Sequence, residues 1–126
     1  MIEIDNVCVD FPAGRGPTTR AVDDVSLRIA PGEIFGIVGT SGAGKSTLLR
    51  TLNALQRPSQ GSIRINGVEI SALEGVTLRR ARQRIGMIFQ HFNLMHTRTV
   101  AQNVAFSLKA AGWERAKIAP RVAEIL

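Results

Sequence analysis

The sequence predicts an α/β fold with an antiparallel β portion near its N-terminus. Apolar and polar residues alternate through most of residues 1–29, as is typical of half-buried strands. A short, nearly all-apolar run follows at residues 34–38, as expected of a strand buried on both faces. This run leads directly into a glycine-rich loop, and a helical pattern begins at Ser46. Strand, loop and helix in this order form the core of the predicted fold.

The antiparallel portion is predicted from residues 1–33 and 61–70. A first strand starts at Ile2 and is closed by Phe11 and Pro12, and a second covers residues 21–29 before a tight Pro31–Gly32 turn. Residues 61–70 indicate two short strands joined by an Asn-Gly turn, which favours a hairpin.

Apolar residues at helical spacing predict the remaining elements. The first helix is expected to end at Pro58 and to place four leucines on one face: Leu48, Leu49, Leu52 and Leu55. A short basic helix at about 78–83 should precede a strand at 85–89 and a loop at 91–98. A helix over 100–111 should stop at Gly112 and bury Val100, Val104, Leu108 and Ala111. A last helix starts near Trp113 or Glu114 and is still running at Leu126.

Composition sets broad limits on the function. A chain of 126 residues favours one domain, and its net charge of +6 suits nucleotides, nucleic acid or an anionic membrane face without choosing among them. The single cysteine, Cys8, excludes an internal disulfide framework, indicates a reducing compartment and is expected to be a small buried residue. No apolar run approaches the ~20 residues that span a bilayer, and no signal segment is present, so a cytoplasmic location is expected.

The chain is interpreted as incomplete. A nucleotide-binding parallel sheet needs more strands than the residues after the glycine-rich loop provide. The sequence also stops within a helical pattern, with neither a helix cap nor a polar tail. We therefore expect residues 1–126 to be the N-terminal part of a longer protein.

The glycine-rich loop at residues 39–46 has the spacing G-x-x-x-x-G-K-S of a phosphate-binding loop. Glycines allow the backbone amides to approach phosphate oxygens without side-chain overlap. Lys45 supplies a cation for the β- and γ-phosphates, Ser46 offers a hydroxyl to Mg²⁺, and Thr47 can reach the α-phosphate. The residues predicted to bind Mg-ATP here are Gly39, Thr40, Ser41, Gly42, Ala43, Gly44, Lys45, Ser46 and Thr47. The alternative is a glycine-rich turn before a helix, with Lys45 merely solvated.

Three further features, in sequence order, resemble the ATP-binding subunits of ABC transporters. They are Phe11 about ten residues before the second strand, the segment 59–67 after the first helix, and Gln90 at the end of the apolar run 85–89. The resemblance covers nearly the whole chain. It implies an ABC-type P-loop ATPase fold with an antiparallel β subdomain and, from about residue 91 to 126, the start of a helical subdomain.

The resemblance also assigns two roles. Phe11 matches the aromatic residue that stacks on adenine, and a π face suits a base. Gln90 matches the Q-loop glutamine, a catalytic residue that touches Mg²⁺ and the attacking water and links the nucleotide to the membrane partner. Its neutral amide can both donate to and accept from water. The alternatives are core packing for Phe11 and an exposed loop amide for Gln90.

Other parts of the family pattern are absent from these 126 residues. There is no Leu-Ser-Gly-Gly-Gln signature, no second apolar strand ending in Asp-Glu, and no switch histidine. His91 and His96 do not match that histidine and are interpreted as loop residues. Because catalysis in such enzymes is mostly positioning and charge stabilisation, the phosphate loop alone should bind nucleotide weakly and hydrolyse it negligibly.

Within the family, residues 85–94 followed by 98–100 and 103–105 are similar to the methionine importers. This resemblance implies a translocating ATPase, peripheral on the cytoplasmic face of the plasma membrane. It implies a second ATP-binding subunit paired head-to-tail, two permease subunits and a solute-binding protein. The alternatives are another ABC transporter, such as a polar amino acid transporter, a DNA-repair or chromosome-maintenance ATPase, and a non-enzymatic binding module.

The arginine-rich segment 79–84 raises the separate possibility of a nucleic-acid surface. No stacking aromatic residues are interleaved with these arginines, so a solvated helix face or a protein-docking surface is the preferred interpretation. We therefore expect no nucleic-acid partner.

Overall fold

The computed structural model describes residues 1–12, 14 and 16–126. It divides into two compact units, Met1–Leu78 and Arg79–Leu126. Four strands are described: β1 (Ile2–Phe11), β2 (Thr19–Ile29), β3 (Gln60–Ile65) and β4 (Val68–Glu69). The described α-helices are α1 (Lys45–Thr51), α2 (Gly75–Arg82), α3 (Val100–Ala110) and α4 (Arg115–Ile125).

The first unit is built on an antiparallel sheet with the strand order β2-β1-β3-β4. Ile4 pairs with Leu27 on one side and with Ile63 on the other, so β1 is central. Alternation of apolar residues along these strands buries one cluster, to which α1 contributes Leu48: Ile4, Val7, Val9, Val22, Leu48 and Ile63. The antiparallel portion predicted from the sequence is confirmed.

The predicted hairpin between β3 and β4 is also present. Asn66 and Gly67 both have positive φ, 50° and 78°, which two-residue hairpin turns require. The N-terminal amine of Met1 donates to the Asn66 Oδ1 at 2.7 Å, and the Asn66 N–H donates to the Met1 carbonyl at 2.8 Å. The chain terminus therefore holds the turn from the neighbouring strand.

Cys8 is buried in β1, as expected of a small apolar residue in a strand. The Asp24 N–H donates to its sulfur at 3.2 Å. Asp24 has φ 48° and lies where the β1–β2 register shifts, so the sulfur satisfies an amide that the ladder leaves unpaired.

The prediction of a buried strand at residues 34–38 is wrong for the described residues. Residues 34–38 form no strand ladder, and Ile34 and Val38 are 100% and 93% exposed. The run 85–89 likewise forms no strand, and Ile88 is 93% exposed. A central parallel strand is buried by neighbouring strands and covering helices, and the described residues supply no parallel partner for either run.

The first helix is shorter than predicted, because α1 ends at Thr51 rather than near Pro58. The Thr51 hydroxyl donates to the Leu48 carbonyl, and the Asn53 side chain accepts from the Leu55 N–H at 3.0 Å. Such local bonds compete with helix continuation. Leu49 and Leu55 are therefore 45% and 48% exposed rather than part of one buried face.

In the second unit, α3 packs against α4. The Thr99 side chain accepts from the Gln102 N–H, and the Gln102 side chain accepts from the Thr99 N–H, which forms a capping box at the start of α3. Gly112, with φ 81°, follows the end of α3 as predicted. The loop at 91–98 is confirmed, and α2 begins three residues before the predicted start.

The predicted burial of α3 is wrong, because this helix has no fully buried residue. Val104 and Leu108 are half-buried, whereas Val100 is 68% exposed and Ala111 is also exposed. The packing between α3 and α4 instead buries Ile118 and Val122 of α4. Within the described part of the chain, no helix is both long enough and apolar enough to cross a bilayer.

Candidate nucleotide-binding site

The glycine-rich loop forms a tight turn that runs directly into α1. The Ala43 N–H donates to the Thr40 carbonyl at 3.3 Å, and the Gly44 carbonyl accepts from the Leu48 N–H at 2.8 Å. Gly42 and Gly44 adopt φ of 83° and 80°, values that side-chain-bearing residues rarely take. The loop therefore keeps the compact form that the motif predicts, although the strand predicted before it is not formed.

Gly44 approaches β2 so closely that only glycine fits. A Cβ atom at this position would lie 2.1 Å from the Ala21 carbonyl oxygen. The contact fixes the start of α1 against β2, and it leaves no room for a side chain between the loop and the sheet. Sequence reasoning gave this glycine a role toward phosphate, and the structure adds a second constraint from the protein itself.

Lys45 is half-buried, and its side chain lies over its own loop. The ammonium Nζ donates to the carbonyl oxygens of Gly39 at 2.7 Å and Thr40 at 2.6 Å. An ammonium group has three N–H donors, so one more can point to a ligand. These bonds place the positive charge at the loop, which excludes the interpretation of Lys45 as a freely solvated side chain.

A cavity of about 630 Å³ opens beside this lysine. Gly44 and Lys45 line one part, β2 residues including Arg20 and Asp23 line another, and residues 35–38 complete it. Cavities of this size hold small-molecule ligands. Most of the lining residues are apolar, and Lys45 supplies the cavity with a cation suited to a phosphate group.

The start of α1 offers a hydroxyl group that suits a magnesium ion. The described residues contain no cluster of three or more His, Cys, Asp or Glu side chains able to hold a metal alone. Ser46 is exposed and Thr47 half-buried at the start of α1. Mg²⁺ commonly takes one or two protein oxygens and completes its shell with phosphate and water, so the Ser46 hydroxyl is a suitable ligand.

Phe11 is the last residue of β1 and is 40% exposed. It lies outside the buried cluster of the first unit, which argues against the core-packing interpretation. It pairs with Thr19 at the end of the β1–β2 ladder. The exposed ring is therefore accessible to a flat ligand.

An ion cluster that sequence reasoning missed lies beside Phe11. Arg20 binds the carboxylates of Asp10 and Asp23 at 2.8 and 2.9 Å. The hydrogen bond from Arg20 lowers the pKa of Asp10 below its usual 3.8, and the two carboxylates raise the pKa of Arg20. Asp10 and Arg20 are ten positions apart, so only the strand register reveals that they are partners.

Gln90 lies in the second unit, in an exposed turn after residues 85–89. His91 and His96 are exposed loop residues, as expected. The phosphate loop and Gln90 thus belong to different units, and each is described within its own unit.

A groove of about 470 Å³ follows Gln90 in the same unit. It has an apolar lining that includes Phe92, Leu94, Met95, Val100 and Phe106. Phe92 and Leu94 are 77% and 59% exposed, and the Arg98 guanidinium lies 5.7 Å from the centre of the Phe106 ring.

Asn103 holds one wall of this groove in place. Its Oδ1 accepts from the Met95 N–H at 2.8 Å. The two N–H groups of its Nδ2 are shared among the carbonyls of Met95, Arg98 and Thr99, at N···O distances of 3.2, 3.3 and 3.0 Å. One side chain thus ties the loop at 95–99 to α3. Sequence reasoning noted Asn103 in the family resemblance but assigned it no structural role.

Comparison with known proteins identifies the family. The family model described as ABC transporter matches residues 22–126, and the chain belongs to this family. The chain is 86% identical over 126 residues to the methionine import ATP-binding protein MetN 2 of Salmonella typhimurium (strain LT2). It is 53% identical over the same length to the methionine import ATP-binding protein MetN of Carboxydothermus hydrogenoformans. Both alignments cover all 126 residues of this chain, which span 37% of the length of either relative.

Solved structures give the same result for the fold. The chain superposes on the ATP-binding cassette MJ0796, seen as a dimer after hydrolysis with ADP and phosphate bound, with a TM-score of 0.89 and 30% identity. The match covers 98% of this chain and 55% of that one. A second dimeric structure of that bacterial ABC transporter cassette gives a TM-score of 0.89 and 31% identity. The predicted fold, an incomplete ABC-type P-loop ATPase, is confirmed.

Proposed function

We propose that this chain carries the phosphate-binding part of the ATP-binding subunit of an ABC importer that takes up methionine. The observation that carries the proposal is the Lys45 ammonium beside the Gly44 backbone in a cavity of ligand size. The 86% identity to a methionine import protein supports the cargo. The cargo rests on relatives because no described residue is assigned a contact with the transported solute.

In the proposed mechanism, Mg-ATP binds with its β- and γ-phosphates at Lys45. The backbone amides of residues 39–47 surround the phosphate chain, and Thr47 reaches the α-phosphate. The Ser46 hydroxyl would hold Mg²⁺, which supplies charge neutralisation on the phosphates. Donors that are already in position stabilise the negative charge that develops in the transition state of hydrolysis. The lysine and the loop would lower the activation barrier of hydrolysis in this way. Phe11 would stack on the adenine.

Gln90 is proposed to contact Mg²⁺ and to orient the attacking water, and so to report the state of the nucleotide to the membrane partner. The exposure of its amide supports this role. The apolar groove lined by Phe92, Leu94 and Met95 follows in the same unit and would lie next to that partner.

The assembly proposed for the whole protein contains two such ATP-binding subunits in head-to-tail arrangement, two permease subunits and a solute-binding protein. It places the chain peripherally on the cytoplasmic face of the plasma membrane. No nucleic-acid partner is proposed, because the arginines of residues 79–84 have no interleaved aromatic residues for base stacking.

The proposal is tested by calorimetric titration of the full-length protein with ATP, with and without Mg²⁺. Magnesium-dependent binding of ATP is expected, and absence of any such binding would exclude the proposed function. The cargo is tested separately by uptake of labelled methionine in cells with and without the gene. Equal uptake in the two strains would exclude methionine while leaving the ATPase assignment intact.

A further inference from the structure

Arg20 joins the adjoining ends of β1 and β2 through three hydrogen bonds. Its Nε and Nη2 donate to the two oxygens of Asp10 at 2.8 and 3.2 Å, and its Nη1 donates to the Asp23 Oδ1 at 2.9 Å. The bidentate contact with Asp10 matches the fork of the guanidinium to the plane of the carboxylate, which is the strong form of this interaction. We call these three residues the Arg20 clamp.

The clamp lies between the phosphate loop and Phe11. Gly44 touches β2 at Ala21, where a Cβ atom would lie 2.1 Å from the carbonyl oxygen. Arg20 is the preceding residue, and Phe11 pairs with Thr19, one residue further along β2. Two residues of a strand cover roughly 6.6 Å. The strand segment 19–21 thus separates the Gly44–Ala21 contact from the residue paired with Phe11, and the clamp is attached at its middle.

The β1–β2 ladder is irregular where the clamp acts. The register shifts between Val9 and Asp10, so the pairs Asp10–Arg20 and Phe11–Thr19 lie beyond the irregularity, at the end of the ladder. A register shift disrupts the local hydrogen bonds and bends the strand. Phe11 therefore has fewer regular backbone hydrogen bonds around it than residues in the middle of the ladder. The side-chain bonds of the clamp stabilise its position.

The clamp and Lys45 bring different charges to the same cavity. Two carboxylates around one guanidinium leave a net charge of −1 beside Asp23, and the Lys45 ammonium lies at the phosphate loop. Arg20, Asp23 and Lys45 line the same cavity. A triphosphate is therefore attracted to the lysine rather than to the clamp. Phe11 does not line this cavity, so the clamp is its link to the site through the strand pairs Asp10–Arg20 and Phe11–Thr19.

We propose that Arg20 is a positioning residue that fixes the separation between the phosphate loop and Phe11 and thereby supports binding of the base end of the nucleotide. The proposal rests on the proposed function, since it needs a nucleotide in this cavity. Arg20 acts through Phe11 and the clamp carboxylates, and it is not assigned a contact with the phosphates.

The test compares a ligand with a base to one without. Dissociation constants for Mg-ATP and Mg-tripolyphosphate are measured by calorimetry on full-length wild type, Arg20→Gln, Arg20→Lys and Phe11→Ala, and on the double variant Arg20→Gln/Phe11→Ala. Arg28→Ala is the matched control, because Arg28 pairs with Glu3 at the other end of the same two strands, at 3.7 Å.

Arg20→Gln is expected to weaken ATP binding about threefold to fivefold, the range of one well-formed exposed ion pair. Tripolyphosphate binding should not change, and the effect should vanish in the Phe11→Ala background. Arg20→Lys should restore part of the loss, because lysine keeps the charge but lacks the fork. Arg28→Ala should leave both ligands unaffected.

Equal losses for ATP and tripolyphosphate would overturn the proposal, because they would indicate a general disturbance of the site. Unchanged ATP binding in Arg20→Gln would overturn it as well. So would a loss of ATP affinity on Arg20→Gln that is as large in the Phe11→Ala background as in the wild type. Failure of the wild type to bind either ligand would instead exclude the proposed function, so the two failures are distinguishable.

Discussion

The Lys45 ammonium donates to the carbonyl oxygen of Thr40 at 2.6 Å, so the charge required for phosphate binding lies over the loop that would surround the phosphates. A second bond, to the carbonyl oxygen of the adjacent residue Gly39 at 2.7 Å, holds the same group. The lysine is thus positioned by the protein before any ligand arrives. Because the side chain is already ordered, less conformational entropy is lost when a ligand binds.

Replacement of Lys45 by alanine should weaken Mg-ATP binding by about tenfold to a hundredfold, the range for loss of a hydrogen bond to a charged group. Calorimetry on the full-length protein measures this change. Lys117→Ala is the control, since Lys117 forms an exposed ion pair with Glu114. ATP affinity that is equal in the two variants would contradict the role given to Lys45.

Replacement of Gly44 by alanine should destabilise the protein more than the same change at Gly67. Both glycines have φ near 80°, which costs an L-residue about 1–2 kcal/mol, but a Cβ atom has open space at Gly67 and meets Ala21 at Gly44. The overlap should add about 1–3 kcal/mol to the loss of unfolding free energy. Urea unfolding measures the difference, and equal losses would show that the close approach to β2 is unimportant.

Replacement of Gln90 by alanine should lower ATP hydrolysis far more than ATP binding. If Gln90 orients the attacking water, kcat should fall by about a hundredfold. The exposed neighbour His91 is the control, and His91→Ala should retain both properties. Steady-state hydrolysis and calorimetry on the full-length protein separate the two effects. Parallel losses of binding and hydrolysis would argue against the coupling role.

Replacement of Asn103 by alanine should loosen the loop at 95–99. The Met95 N–H loses its acceptor and exchanges with solvent faster, at a cost of about 1–3 kcal/mol in local opening. Gln102→Ala is the matched control, because the Gln102 side chain accepts from the Thr99 N–H instead. Hydrogen exchange read by NMR should therefore place the two effects on different amides. Unchanged Met95 exchange in Asn103→Ala would contradict this account.

The Arg20 clamp predicts an acid-dependent loss of stability. Arg20 lowers the pKa of Asp10 in the folded state below the usual 3.8. The clamp therefore contributes its full stabilisation above pH 3.8, and this contribution is lost as the pH falls through the folded pKa. The difference in unfolding free energy between wild type and Asp10→Asn should shrink below pH 3.8. A difference independent of pH in this range would exclude the ionised pair as its source.

The sequence by itself determined the elements that depend on local chemistry. Alternating residues placed β1 and β2, the Asn66–Gly67 turn set the hairpin, and Gly112 marked the end of α3. The spacing of the glycines and Lys45 predicted a phosphate-binding loop. Each of these is decided by conformational preference or side-chain period within a few residues, which a linear sequence displays directly.

Tertiary structure alone decided the features that need a distant partner. The apolar run at 34–38 has the composition of a buried strand, but a strand is buried only when neighbours pair with it, and none is described. The clamp of Arg20 on Asp10 depends on strand register, and the fit of Gly44 depends on Ala21, twenty-three residues earlier in the chain. Contacts of this kind are set by how elements pack, because side chains far apart in sequence carry no local signal of their meeting.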